Sequence, residues 1–244
     1  MTVTWEELGW ERLAHGAGRV RLPVWDCTVG LVLGADRALF VDAGSHRAEG
    51  ARLRARARAL TGDRVTLLAL THPHFDHVLG AGEFVDARIH AAEGMSAVLG
   101  DERGRAELRA DAVRHGLDPR AADEAVAALP RRAGREVHDV LGIALGGGRE
   151  VLLVNAGPGH TAHDLAVVVP GEPAVVFCGD LVEESGEPQA GPDAVPSRWP
   201  AALDRLLALG GEDALYVPGH GAVVDAAFVR AQRDTLAARC GVSD

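Results

Sequence analysis

Two kinds of stretch alternate along the chain. Short runs dense in Val, Leu and Ile are interleaved with longer stretches in which Ala and Leu recur among Arg and Glu, and the two patterns predict different elements. Residues 20–23, 28–33 and 38–41 read as a strand followed by a hairpin, with Gly34-Ala35-Asp36-Arg37 as the hairpin turn. The spacing over 47–60 predicts a helix capped by Ser45 and stopped by Thr61-Gly62-Asp63. A buried strand is expected at 65–70, then a helical turn at Leu79-Gly80-Ala81-Gly82 and a strand at 88–90. From 91 to 129 the apolar positions suit two or three amphipathic helices, broken at Gly116-Leu117-Asp118-Pro119. These helices either cover a sheet face or overhang a site, and the pattern does not choose between the two. Residues 136–140, 143–145, 150–154, 165–169, 174–177 and 214–217 are strand-like, and 199–209 and 224–239 are helical. Strands fall into two groups, each followed by helices, with no linker between them, so residues 1–244 read as a single domain with two halves.

Composition narrows the class. Hydrophobic residues make up 47% of the chain, which argues against disorder. The formal net charge is -10 and every cation is Arg, with no basic stripe, so neither nucleic acid nor an anionic membrane is the expected partner. Cys27, Cys178 and Cys240 are scattered, forming neither a metal-binding pair nor a disulfide framework. The opening Met1-Thr2-Val3-Thr4-Trp5-Glu6-Glu7 lacks the layout of a signal peptide, and no apolar run is long enough to cross a bilayer. A soluble, cytoplasmic protein is the expectation.

The candidate chemistry begins in Thr71-His72-Pro73-His74-Phe75-Asp76-His77, where four potential metal ligands follow directly on the strand at 65–70. Neutral imidazole and ionised carboxylate suit divalent transition metals. Three later stretches repeat the placement of a donor after a strand in a turn stiffened by Gly or Pro: Asn155-Ala156-Gly157-Pro158-Gly159-His160, Cys178-Gly179-Asp180 and Val217-Pro218-Gly219-His220. The strand at 38–41 ends in Asp42-Ala43-Gly44, where Asp42 can bond neighbouring amides at the edge of the site.

This ordered set, the Asp42 turn, HxHxDH at 72–77, His160, Asp180 and His220, resembles the metallo-β-lactamase-fold superfamily of metallohydrolases. The resemblance implies an α+β fold, a four-layer αββα sandwich with metals at one edge and a helical insertion around residues 91–129. It implies that His72, His74 and His160 hold a first metal, that Asp76, His77 and His220 hold a second, and that Asp180 bridges them. Two divalent ions, Zn2+ by preference and Fe or Mn as alternatives, would then share a hydroxide as nucleophile, with Asp76 also orienting water and moving a proton. The implied activity is hydrolysis of a small ester, thioester, lactone or related carbonyl substrate. The alternative is a mononuclear-iron, persulfide dioxygenase-like oxidoreductase, and a third reading is a non-catalytic metal-binding protein. A homodimer is compatible with chains of this class.

Within the family the ligand order matches glyoxalase II and the acyl-homoserine lactonases. Only 24 residues follow His220 and none is Lys, which argues against a glutathione grip. The sole Tyr, Tyr216, lies in a strand and reads as structural rather than as the lactonases' assisting Tyr. His163 is a candidate substrate contact or brace, as is His115 if the insertion is a lid, and Asp164 is a candidate brace for a ligand. His15, His46, His90 and His138 have no motif and read as surface or half-buried. Cys178 and Trp199 read as core, and Glu183 and Glu184 as a solvated loop.

Overall fold

The computed structural model describes residues 4–62 and 64–241. The expected helix stop at Asp63 and the first three residues of the chain lie outside that range. A seven-stranded sheet runs in chain order through β1 (Glu11–Ala14), β2 (Ala17–Arg21), β3 (Thr28–Leu33), β4 (Ala38–Val41), β5 (Val65–Ala69), β6 (Arg88–Ala92) and β7 (Arg135–Val137). Its first three pairings are antiparallel and the rest parallel. The second sheet contains β8 (Val140–Gly146), β9 (Arg149–Asn155), β10 (Leu165–Val169), β11 (Val175–Glu183) and β12 (Leu215–His220), with β12 beside β11 and β8 at the far edge. Only its β11–β12 pairing is parallel.

Strands buried on both faces read as continuous apolar runs, and here the pleat sorts each run between two cores. On β4, Leu39 and Val41 point between the sheets, while Ala38 and Phe40 point outward. On β10, Leu165, Val167 and Val169 point between the sheets, while Ala166 and Val168 face the other way. Helices close both outer faces. α1 (Arg47–Thr61), α2 (Phe75–Val78), α3 (Met95–Gly100), α4 (Glu102–Arg114) and α5 (Pro119–Ala128) lie over the first sheet. α6 (Trp199–Gly210) and α7 (Ala226–Cys240) lie over the second. Layer order is therefore αββα, as expected, and Trp199 is fully buried in the outer core of the second sheet.

The helical insertion covers the sheet. Met95, Leu99, Leu108, Ala112, Ala122 and Ala125 share a core with Phe40, Leu68 and Phe84. Asp118 caps α5 through the backbone N–H groups of Arg120 and Ala121, with Pro119 in the first turn.

Several boundaries differ from expectation. Ser45 does not cap α1: its amide and hydroxyl both donate to the Glu49 carboxylate, and His46 occupies the cap position. The strand expected at 136–140 is two strands, because the chain leaves the first sheet after Val137 and enters the second at Val140. β11 continues through Asp180 to Glu183, and β12 through to His220, so these two donors are held by strands rather than by turns after them. Among the described residues, no helix is long and apolar enough to cross a membrane.

Candidate metal centre

The C-terminal ends of β4 and β5 bring Asp42 and Thr71 together. Asp42 sits at φ 64, a left-handed conformation that Asp tolerates better than most residues. Its carboxylate accepts from the Thr71 amide at 2.8 Å and the Thr71 hydroxyl at 2.7 Å. The hydroxyl proton is thereby committed to Asp42, so Thr71 Oγ1 accepts from His72 Nδ1 at 2.9 Å, and the His72 Nε2 lone pair is left facing inward. Asp42 Oδ2 also accepts from His77 Nδ1 at 2.9 Å.

The same logic fixes the other rings. His74 Nε2 donates to Asp193 Oδ2 at 3.0 Å, His160 Nδ1 to the Gln189 carbonyl at 3.1 Å, and His220 Nδ1 to the Trp25 carbonyl at 2.7 Å. Each of the five imidazoles is held at its outer nitrogen by an oxygen and presents its inner nitrogen to a common centre. His160 Nε2 and His74 Nδ1 face each other at 3.0 Å. Asp180 lies between two groups of rings. Its Oδ2 is 3.5 Å from His72 Nε2, 3.4 Å from His160 Nε2 and 3.3 Å from His220 Nε2, and its Oδ1 is 3.2 Å from His77 Nε2. Asp76 Oδ2 is 3.3 Å from His220 Nε2 and 3.6 Å from His77 Nε2.

Three groups of donors result, with donor atoms in each within 4.8 Å of one another: His72, His74, His160 and Asp180; His77, Asp180 and His220; and Cys27, Asp76 and His77. Asp180 belongs to the first two, and the Cys27 thiol of the third is raised far above neutrality by burial, which leaves it a poor ligand. Despite these short separations, His72 Nε2 and Asp180 Oδ1 are buried without a hydrogen bond. Buried polar atoms are almost always paired, so orphans converging with inward-facing lone pairs are what a cation's ligands look like. The donor set fits a divalent metal.

Glycine makes the approach of the strands feasible. A Cβ on Gly219 would lie 1.8 Å from Asp180 Oδ1, so no other residue at that position leaves the carboxylate where it is. Gly179, at φ 56, passes Thr71 closely enough that a Cβ would stand 2.8 Å from the Thr71 Cβ, at a point where the β11–β12 register is irregular.

Electrostatics divide the cluster. Burial pushes His160 down to about 4 and His72 well below the usual imidazole range. Burial also opposes charge on His220, but Asp180 and Asp76 outweigh it and raise His220 to about 9. For His77, burial is outweighed by negative neighbours, and its pKa lies well above the ordinary value. The Cys27 thiol touches the same ring, but burial raises its own pKa far above neutrality, so the carboxylates of Asp180, Asp76 and Asp42 supply the charge at pH 7. Asp180 is buried, which disfavours its ionisation, yet His77, His72 and His220 hold its pKa well below the usual carboxylate range.

All seven residues expected to act together, His72, His74, Asp76, His77, His160, Asp180 and His220, thus converge. Asp42 braces His77 and Thr71 instead of facing the centre. His163 stands apart: its Nδ1 donates to the Glu93 carbonyl at 2.8 Å, and its ring packs over Gly94. His115 ends α4, stacks on Phe75 at 5.4 Å and bonds the Asp111 carbonyl, with no bond to the cluster. Asp164 accepts from the Thr161 amide and hydroxyl, holding the turn that carries His160. Glu183 is buried, not solvated, and accepts from Ser185, while Glu184 accepts from the Ala222 amide. Cys178 faces the outer core of the second sheet, and Tyr216 is buried with its hydroxyl bonded to the Gly211 carbonyl. Asp193, Thr71 and the carbonyls of Gln189 and Trp25 were not singled out in the sequence; each works through where its loop lands, for which the local pattern carries no signal.

A four-layer αββα sandwich with His and Asp donors gathered at one end of the strands defines a class of fold and site. The family model of the metallo-beta-lactamase superfamily matches residues 22–220, and the chain belongs to that family. No curated protein matches the sequence significantly. Solved structures give the same fold. A metallo-beta-lactamase from Pontibacter korlensis superposes with a TM-score of 0.70 at 17% identity, covering 93% of this chain and 97% of that one. The metallo-beta-lactamase FIM-1 from Pseudomonas aeruginosa, in a mono-zinc form, gives 0.68 at 17% identity with 96% of each chain covered. A metallo beta lactamase from Hirschia baltica gives 0.67 at 15% identity, with 93% and 96% covered.

Proposed function

We propose that the chain is a dinuclear metal-dependent hydrolase of a small ester, thioester, lactone or related carbonyl compound. The observation that carries this reading is Asp180, whose two oxygens face the histidines of both its donor groups at 3.2 to 3.5 Å, as a bridging carboxylate would. His72, His74 and His160 would complete one metal site, and Asp76, His77 and His220 the other. The nitrogen and oxygen donors suit zinc, and FIM-1, of the same fold, is a zinc protein. When bound, a pair of divalent cations supplies water acidified towards neutral pH and polarises a carbonyl oxygen.

The chain's own residues do the rest. Asp42, Thr71, Asp193, Gln189 and Trp25 hold the five rings in the tautomers that leave inner lone pairs free. Asp76, 7% exposed and beside His220, would orient water and hand a proton to the leaving group. Water as nucleophile removes any need for a Ser or Cys, and the buried Cys27 and Cys178 keep their thiols protonated.

The experiment is elemental analysis of the purified protein together with turnover on an ester, thioester and lactone panel. Two zincs per chain, with hydrolysis abolished by Asp76→Asn and by His74→Ala in folded protein, is the expected result. Near-wild-type turnover in either variant with its metal content confirmed, or one iron per chain with oxygen consumption, would overturn the proposal.

A further inference from the structure

The space between the sheets is filled by apolar side chains, and polar groups enter it at both ends: Arg19 and Thr28 towards the metal donors, and a second set at the end away from them. Strand pairing sets Leu67 opposite Arg88, Ala69 opposite His90, and His90 opposite Arg135, so these side chains share one face. That face is the interior of the sandwich: Leu67, Ala69, Ala92 and Val137 on it all join the inter-sheet core. Yet Arg88, His90 and Arg135 occupy its inward positions. They sit near the starts of the parallel strands β6 and β7, whereas the metal-ligand loop leaves the end of β5, so the two sites lie at opposite ends of the sheet.

Here the two sheets part to leave a pocket of about 380 Å³, floored by His90 and Ile143 and rimmed by Arg37, Arg88 and Arg135. Arg37 arrives on the β3–β4 turn, which is tied to the second sheet by the Asp36 and Arg37 amides donating to the Leu145 carbonyl, both at 3.0 Å. His90 is 3% exposed, and neither ring nitrogen has a hydrogen-bond partner. Burial, reinforced by Arg88 and Arg135, pushes its pKa to about 4, so the ring is neutral with one N–H to donate.

In a chain of net charge -10, arginines such as Arg19, Arg47, Arg54 and Arg131 each meet a carboxylate. Among the described residues, Arg37, Arg88 and Arg135 meet none. The three are set apart by where they gather, around one pocket, since exposed arginines such as Arg52, Arg56 and Arg132 meet no carboxylate either. Asp36 lines the same pocket but lies against Gly146, where its Oδ2 would stand 2.2 Å from an added Cβ. Three unpaired guanidinium groups over a buried N–H donor form a recognition set for a tetrahedral dianion, because Arg offers paired donors matched to phosphate oxygens.

We propose that this pocket binds a phosphate group, either as the free ion or as the phosphomonoester of a small metabolite, at a site separate from the metal centre. Its volume falls within the range of small-molecule sites and exceeds what a bare ion needs. Isothermal titration of the metal-loaded protein with inorganic phosphate, and separately with glycerol 3-phosphate, tests this at fixed ionic strength. The guanidinium contacts are charge-assisted, so Arg88→Gln and Arg135→Gln should each weaken binding about tenfold or more. Both positions are exposed enough for Gln to be accommodated, which circular dichroism checks. Arg12→Gln, which changes an exposed arginine on β1, should leave binding unchanged. Tighter binding of glycerol 3-phosphate supports an ester ligand, and equal binding supports the free ion. Phosphate binding that survives both pocket variants would belong to the metal centre and overturn the proposal. So would absence of binding in the wild type at millimolar phosphate, with aggregation of the Arg88→Gln/Arg135→Gln protein, since the inward charges would then serve only to protect an open sheet edge.

Discussion

His74 is the most exposed to solvent of the clustered rings, and its outer nitrogen depends on one carboxylate, Asp193. Burial works against charge on both partners, yet the His74 pKa is raised and the Asp193 pKa lowered, because each stabilises the other's ionised form. Once a cation takes the inner nitrogen, the same bond fixes the ring and makes it a better donor. Asp193→Ala should therefore lower metal affinity by roughly 10- to 100-fold, read by chelator competition, with the far-UV spectrum unchanged. Unchanged metal retention would mean that His74 needs no such brace. Protonation makes a second prediction at this scale. With His220 raised to about 9 and His77 raised by its negative neighbours, protonation of both rings is favoured in the metal-free chain, and a cation must displace those protons. Zinc uptake at pH 7 should release more than one proton per chain in a weakly buffered solution, and affinity should climb as pH rises towards 9. In the metal-free chain, the pairing of His220 with Asp180 stabilises the fold in full below the ordinary value of 6.5 and is lost as pH rises through about 9. Absence of proton release on zinc addition would show that the rings are already neutral.

Strands β11 and β12 carry the site's most constrained geometry. Asp180 reaches the centre only because Gly219 on the neighbouring strand has no side chain. Gly219→Ala should displace the carboxylate, reduce bound metal below two equivalents and cut turnover by more than about 100-fold, given how steeply catalysis falls with small misplacements. Elemental analysis and a melting curve check it, the latter because the strand should persist. Most of this was legible in the sequence at the level of elements. The runs at 28–33, 38–41 and 165–169 are strands over those very residues, because β-branched and aliphatic side chains at successive positions suit strands covered on both faces. The seven residues that converge are picked out by HxHxDH and by the ordered resemblance of His160, Asp180 and His220 to the family's pattern, and the strand ends bring them together. Less local features were not legible. β1 (Glu11-Arg12-Leu13-Ala14) is a half-exposed edge with no apolar alternation to betray it. The change of sheet at His138-Asp139 interrupts a run that reads as continuous, because β propensity does not say which partner a strand takes. Asp193 depends on where a Gly- and Pro-containing loop folds back, and His90 reads as a surface or half-buried ring with no motif, whereas strand pairing turns it inward.

At the scale of the whole molecule, the fold and the metal centre draw on different sources of stability. Three apolar cores, one between the sheets and one under each helical layer, hold fully buried Trp10, Phe40, Leu39, Leu68, Phe177, Trp199 and Tyr216. None of those side chains belongs to the donor set, which lies at one end of the strands. The cores should therefore hold the sandwich together without metal, while the metal adds binding free energy to a structure already formed. A cation present at about 1,000 times its dissociation constant contributes about 4 kcal/mol, and each kcal/mol shifts the melting temperature of a chain this size by about 2–4 °C. Chelation should accordingly lower the melting temperature by about 8–16 °C for each cation removed, while the transition stays cooperative and the far-UV circular dichroism is retained. A substitution in the inter-sheet core, such as Leu39→Ala, should cost about 2–5 kcal/mol with or without metal, because its cavity lies in a layer the cation does not touch. Loss of the cooperative transition on chelation alone would show instead that the carboxylates and rings of the centre repel strongly enough to unfold the strands that carry them, and that the metal is part of the fold.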